Sequence, residues 1–422
     1  MQTRALIFMI TTTVLLLLLD VYVFRGVKMH ISQFSSGWKK FFSWLYWLPT
    51  LAFVLLLAYL FINGQAISAT RSFRPFYFAF GFALTLLLPK LLYSFFLLTE
   101  DITQVIRYVI AKLSTPKSEV DQSHAITRLQ FISQTGLVLS GLFMGSIVYG
   151  IVKGKYAFRF LSETIASVKF PKSAPPLKII QISDTHLGSF APEDPLEMRY
   201  LIDEINSRKP DLIFMTGDLV NNYASEAEPW IDFFASLKAS LGKYSVLGNH
   251  DYSDYVPWPN EEDKAENLRQ LERIHRDMGF RLLKNEHEEI SVGDEHISVI
   301  GIENWGEGGF AKYGDLEKAL RNVNPAHFKI LLSHDPSHWE AQVMGKKDID
   351  LTLSGHTHGM QFGVEIGSLR FSPVQFRYKR WGGLYREGVN HLYVNRGFGF
   401  LGFPGRVGMP PEITEIVINS KA

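Results

Sequence analysis

The chain contains no cysteine among its 422 residues, which excludes disulfides and zinc–thiolate sites but says nothing of its compartment. It also has almost no net charge, with 43 Lys and Arg against 42 Asp and Glu. That balance hides an asymmetry: up to Pro176 there are 17 basic and 6 acidic residues, and beyond it 26 and 36. An acidic second part argues against a nucleic-acid partner, because binding a phosphate backbone draws its affinity from clustered Lys and Arg. No internal repeat and no low-complexity tract is found, so a stacked-repeat array is not expected.

What the first part has is long apolar runs. They cover Ala5 to Phe24, Phe41 to Ile62, Pro75 to Leu98 and Leu129 to Val152, each near the ~20 residues that cross a bilayer as a helix. A cleaved signal peptide is the alternative for the first run, but no small-residue cleavage site follows it and three more runs do. The expectation is an all-α, four-helix transmembrane anchor over residues 1–152, integral to a membrane. With four crossings, the amino terminus and everything after Val152 lie on one side. Charge leaves open which side that is: Arg25, Lys28, Lys39, Lys40, Arg107, Lys112, Lys117 and Arg128 on one face balance Arg4, Arg71, Arg74, Lys153, Lys155, Arg159, Lys169 and Lys172 on the other. Asp20 and Lys90 are charged groups inside apolar runs. Two readings stand: a buried pair that fixes helix packing, or separate snorkelling to the interface.

Residues 153–176 are basic, mixed with aromatics and ended by Pro-Lys-Ser-Ala-Pro-Pro, and read as an interfacial stretch and stiff linker. From residue 177 to 422 the pattern changes. Short β-branched runs (LKIIQIS, LIFMTG, YSVLG) alternate with helical stretches near Pro195–Arg208 and Pro229–Ser240, and a charged surface helix follows over Asn260–Met278. Later strands are expected at HISVIGI, KILLSH, DLTLSG, HLYVN and TEIVI. Such alternation predicts an α/β layered domain with its chemistry at the strand ends.

Five short motifs fall at the carboxyl ends of these strands: Asp184-x-His186, Gly217-Asp218, Gly248-Asn249-His250-Asp251, Ser333-His334 and Gly355-His356-x-His358. Alone, each has a plain explanation, since Gly-Asp is a common turn and a single His is usually a satisfied polar residue. Together they bring carboxylate, imidazole and amide oxygen to one edge, a donor set suited to Mn²⁺, Fe²⁺ or Zn²⁺. Two imidazoles one residue apart in a Gly-bounded turn can serve two neighbouring ions. Asp218 is the natural carboxylate to bridge them, and an Asn oxygen is a neutral ligand that leaves its ion more Lewis acidic.

In that order the motifs resemble the calcineurin-like metallophosphoesterase superfamily, whose pattern is D-x-H, G-D, G-N-H-[DE], H and G-H-x-H. The resemblance implies a layered α/β/β/α sandwich and two divalent metal ions. It places Asp184, His186 and His358 on the first ion, Asn249, His334 and His356 on the second, and Asp218 between them. It further implies that His250 faces substrate as the catalytic proton donor, with Asp251 orienting its ring. One departure is Gly359-Met360-Gln361, where many members have Gly-Gly-Gln. A looser resemblance, carried by Tyr393 to Gly397, Pro404, Arg406, Pro411 and Glu412, points to membrane-associated bacterial phosphoesterases that include the UDP-diacylglucosamine pyrophosphatases of the lipid A pathway.

Around the motifs, RFSPVQFRYKRWGGLYR (370–386) and GFGFLGFPGR (397–406) interleave basic and aromatic residues. Phe398, Phe400, Leu401 and Phe403 either reach acyl chains or are buried aromatics of a sheet edge. The expectation is thus an anchored hydrolase cutting a phosphate ester or pyrophosphate bond, with a lipid-linked substrate and no nucleic acid as partner. The alternatives are a phosphodiesterase or phosphatase on soluble nucleotides or phosphoproteins, a phosphoesterase domain regulating a transmembrane sensor or transporter bundle, and an inert scaffold.

Overall fold

The computed structural model describes residues 2–113, 122–367 and 369–421, with the side chains of 2–9, 68 and 122–130 left out of account. Of the charges weighed above, Lys117 lies outside the described residues, as do the side chains of Arg4 and Arg128. The chain divides into two compact units, Met1–Val152 and Lys153–Ala422.

The first unit is four helices: α1 (Gln2–Ile31), α2 (Ser36–Ala69), α3 (Arg74–Leu113) and α4 (Gln122–Val152). All four are long and apolar enough to cross a membrane. Their outward faces carry residues such as Leu18, Trp44, Leu55 and Leu142 fully in the open, an arrangement stable only where the surrounding solvent is itself apolar. Inside, the pairing of Asp20 with Lys90 is made. Asp20 is wholly buried, forms an ion pair with Lys90, and accepts from Thr50 (2.7 Å) and Tyr46 (3.0 Å). Lys90 also donates to Thr50, at 3.0 Å.

The second unit contains β1 (Arg159–Ser167), β2 (Leu177–Ile182), β3 (Leu212–Thr216), β4 (Gly242–Val246), β5 (Arg281–Leu282), β6 (Glu286–Val292), β7 (Glu295–Gly301), β8 (Phe328–Leu332), β9 (Leu351–Ser354), β10 (Val364–Ile366), β11 (Leu369–Phe371), β12 (Gly383–Glu387), β13 (Asn390–Val394) and β14 (Glu412–Ser420). One six-stranded sheet has the order β1-β14-β2-β3-β4-β5, a second has β12-β13-β9-β8-β7-β6, and β10-β11 stand apart as a hairpin. The interior strands β2, β3 and β4 are parallel, as are β7, β8, β9 and β13.

Period-2 alternation explains the layering. In β3, Leu212 and Phe214 join a core with Ile297, Ile330 and Leu351 of the other sheet, while Ile213 and Met215 face outward under Leu201, Ile205, Trp230 and Leu271. Because both faces are covered, the strand reads as one unbroken apolar run. A third core, with Ile300, Leu331, Leu392 and Trp339, covers the far side of the second sheet. The result is the expected α/β/β/α sandwich.

One expectation needs correction, and one pair of alternatives is decided. Residues 153–176 are not a free linker, because β1 lies within them and pairs in parallel with β14 across nine positions, Arg159 with Glu412 through Ser167 with Ser420. Basic composition masked an alternating strand whose Ile165 is buried and whose neighbours Phe158 and Phe160 pack on the core. Phe398, Phe400 and Phe403 do not reach outward either. Phe398 and Phe400 stack around Phe190, with ring centroids 6.1 and 5.0 Å away, and Phe403 lies 4.6 Å from Phe362.

Candidate metal centre

Each of the five motifs follows a parallel strand directly: Asp184 after β2, Asp218 after β3, Asn249 after β4, His334 after β8 and His356 after β9. The carboxyl ends of both sheets therefore deliver side chains to one place, from two layers at once. The turns that do so are tight. Left-handed backbone occurs at Asp184 (φ 50), His186 (φ 44), Asp218 (φ 54), His356 (φ 72) and His358 (φ 51), a conformation that costs a non-glycine residue about 1–2 kcal/mol. At Gly355 no side chain is tolerated, because a Cβ there would collide with the Asp184 carboxylate.

Two groups of ligand-type atoms result: Asp184, His186 and His358 in one, and Asp218, His334 and His356 in the other. Within the first, Nε2 of His186 and His358 face each other at 3.1 Å, and Asp184 Oδ1 lies 3.4 Å from His358 Nε2. Within the second, His356 Nδ1 is 3.2 Å from His334 Nε2. Asp218 Oδ2 links them, 3.1 Å from His334 Nε2 and 3.5 Å from His186 Nε2.

The outer ring nitrogens fix which atoms point inward. His186 Nδ1 donates to Asn221 Oδ1 (3.1 Å) and His334 Nδ1 to the Thr216 carbonyl (2.8 Å), so both present Nε2. His356 meets the Tyr378 hydroxyl through Nε2 at 2.8 Å, turning Nδ1 to the centre. Behind His358, the buried Arg406 stands 3.3 Å from Nδ1 and donates to the carbonyls of Arg396 (2.8 Å) and Gly399 (2.8 Å). Burial pulls this guanidinium down to about 9, against the opposing charges of Asp184 and Glu412.

The electrostatics suit a site built to hold cations. Burial lowers His186 to about 3, His356 to about 4 and His358 well below the ordinary value, so these imidazoles are neutral near pH 7. Burial raises Asp184 to about 7. Burial pushes His334 down as it does its neighbours, but the Asp218 charge and hydrogen bond overcome it and raise the ring to about 10. Asp218 is in turn held well below the carboxylate range, burial notwithstanding, by His334, His250 and His186. His334 and Asp218 thus hold each other charged across 3.1 Å.

Asn249 supplies the clearest test of fit. Its Nδ2 donates to the Tyr255 hydroxyl (2.8 Å), whereas its Oδ1 is buried with no hydrogen-bond partner. Leaving a buried acceptor unmatched costs about 1–3 kcal/mol, and a cation beside it removes that cost. Carboxylate, imidazole and amide oxygen with no thiolate fit hard or borderline divalent ions.

His250 and Asp251 are arranged differently from the expectation. His250 Nδ1 donates to the Asn221 carbonyl at 2.8 Å, leaving Nε2 free. Asp251 instead accepts backbone N–H groups from Gly248 (2.8 Å), Asp218 (3.0 Å), Leu219 (2.8 Å) and Val220 (3.2 Å). Both residues lie in one 3₁₀ turn, His250–Tyr252, where successive side chains diverge by about 120°, so adjacency in sequence does not become contact. Asp251 is a positioning residue that clamps the Asp218 loop to the Asn249 loop. Asn221, Tyr255, Tyr378 and Arg406 line or back the centre without belonging to any of the five motifs. Asn221 and Tyr255 have no signal in the sequence beyond polarity in a loop after a strand, whereas Tyr378 and Arg406 lie in the basic and aromatic stretches singled out above.

Residues 3–155 match the family described as "Probable Calcineurin-like phosphoesterase, transmembrane domain", and residues 177–360 match "Calcineurin-like phosphoesterase". The second match contains all seven ligand candidates. A Danio rerio "Transmembrane protein with metallophosphoesterase domain" is 30% identical over 283 residues, covering 64% of this chain and 60% of that one. An "Uncharacterized metallophosphoesterase" of Aquifex aeolicus is 33% identical over 272 residues, covering 63% and 94%. Another, from Campylobacter jejuni, is 26% identical over 426 residues and covers 99% of each chain. The chain spans 60% and 55% of the length of the Danio rerio and Bos taurus relatives it matches.

Proposed function

We propose that this chain, which belongs to the calcineurin-like phosphoesterase family, is a membrane-anchored hydrolase that cuts a phosphate ester or pyrophosphate bond at a binuclear metal centre. The observation that carries the reading is the orphaned Asn249 Oδ1 beside two facing sets of ligand atoms. Asp184, His186 and His358 would hold one ion, Asn249, His334 and His356 the other, and Asp218 would reach both. Bound there, two divalent cations would polarise phosphoryl oxygens and make a water molecule acidic enough to attack phosphorus near neutral pH.

The protein's own residues do the rest. Asp251 holds the Asp218 and Asn249 turns in register through four backbone N–H groups. The Asn221 carbonyl pins His250 Nδ1, so its free Nε2 is the atom that donates a proton to the departing oxygen or steadies its charge. Tyr378 and Asn221 fix the rings of His356 and His186.

A lipid-linked substrate is the finer part of the proposal. Its support is the tether: α4 ends at Val152 and the second unit begins at Lys153, so a membrane-borne ester is concentrated before the domain. Detergent-solubilised full-length protein, loaded with Mn²⁺, Fe²⁺ or Zn²⁺ in turn, is to be assayed on a chromogenic phosphodiester, a phosphomonoester and a nucleotide-diphosphate lipid. The lipid should give the highest kcat/KM. Preference for the soluble esters removes the lipid assignment, and no turnover of any ester with two metals bound removes the hydrolase.

A further inference from the structure

The hairpin β10–β11 begins six residues after His358, and its two faces are unlike. Val364 pairs with Phe371 and Ile366 with Leu369, so these four share one face, while the pair Glu365 and Arg370 takes the other. The polar face is fastened to the domain, since Glu365 is ion-paired with Arg370 and Arg396, and Arg396 reaches on to Glu412. The apolar face is left in the open: Ile366 is 71% exposed, Leu369 62%, Val364 42% and Phe371 41%. Phe376, at 83%, extends it through a ring contact with Phe371.

Proteins normally blunt such a surface, because an exposed apolar sheet face invites aggregation. Among the described residues these side chains stay exposed, and two exposed basic residues, Arg377 and Lys379, follow Phe376 within three positions of the chain. Apolar and aromatic side chains edged by Lys and Arg are the composition that enters the headgroup layer of an anionic membrane. The same chain carries four helices able to span a bilayer, so a bilayer is always within reach of this domain.

We propose that the apolar face of β10–β11 docks on that bilayer, with Ile366 and Leu369 among the acyl chains and Arg377 and Lys379 against anionic headgroups. This holds whichever ester the metal centre cleaves. Lacking any cysteine, the chain allows a clean test: Ile366→Cys, Leu369→Cys and, as a control in the β12–β13 turn, Val389→Cys are each spin-labelled in full-length protein. Collision rates are then read in nanodiscs of phosphatidylcholine and phosphatidylglycerol. Labels at 366 and 369 should meet oxygen several-fold more often than a water-soluble nickel chelate, and the label at 389 should show the reverse. Chelate access at 366 and 369 equal to that at 389 overturns the proposal. So does shielding from both reagents, which would assign the face to a protein partner or a second copy.

Discussion

Two buried polar constellations, one in each unit, look alike on paper and differ in a decisive way. Around Asp20 both carboxylate oxygens have donors: Lys90 and Tyr46 meet Oδ1 and Thr50 meets Oδ2, so the charge is paired within the helices themselves. At the strand ends, imidazole nitrogens face one another and Asn249 Oδ1 has no donor. A saturated cluster holds helices together, whereas a cluster rich in acceptors waits for a cation. Burial alone does not separate structure from function; the account of unmatched lone pairs does.

The widest breach of that comparison is Asp218→Asn. Losing the carboxylate that reaches both groups should lower turnover about a thousandfold or more, since several kcal/mol of charge neutralisation is lost; elemental analysis should find fewer than two ions per chain. A variant with normal turnover and full metal content would make the second cluster as structural as the first. His250→Ala should cost about 10²–10⁴-fold in kcat while both ions stay bound, because His250 is in neither group of ligand-type atoms. In the helices the effect is on stability alone. Asp20→Asn should destabilise by about 3–5 kcal/mol by stranding Lys90, and the double change with Lys90→Met should cost less than the sum of the singles; additive costs in a denaturation series would mean that the two are not coupled. The smallest effect is in pH. At pH 8 Asp184 has shed its proton (about 7) while His334 keeps its own (about 10), so loading the second group should release about one proton. Apparent affinity should therefore climb with pH toward 10, as calorimetry in two buffers of different ionisation enthalpy would show.

How far the sequence went follows the same physics. Strands buried on both faces, such as LKIIQIS and LIFMTG, announce themselves as apolar runs, and the ligands directly after them could be read with their strands. β1 could not, because half its residues are polar and its partner β14 lies some 250 residues away in the chain. β10 and β11 have three residues each, too few for any period to show. Asp251 misled because adjacency in sequence suggests contact, and the 3₁₀ turn sends it elsewhere. Asn221 escaped notice because what it gives His250 is a backbone carbonyl, which no residue type encodes. The Asp20–Lys90 pair was open to two readings until helix packing chose one.

Five of the ligand candidates sit on torsion angles at which an evolving chain would relax by adopting glycine. Exchanging His358 for glycine should therefore yield a protein that is more heat-resistant than the His358→Ala form, yet equally unable to bind its ion. Durability and competence pull in opposite directions at these positions, and the sequence keeps imidazoles and carboxylates where comfort alone would have erased them.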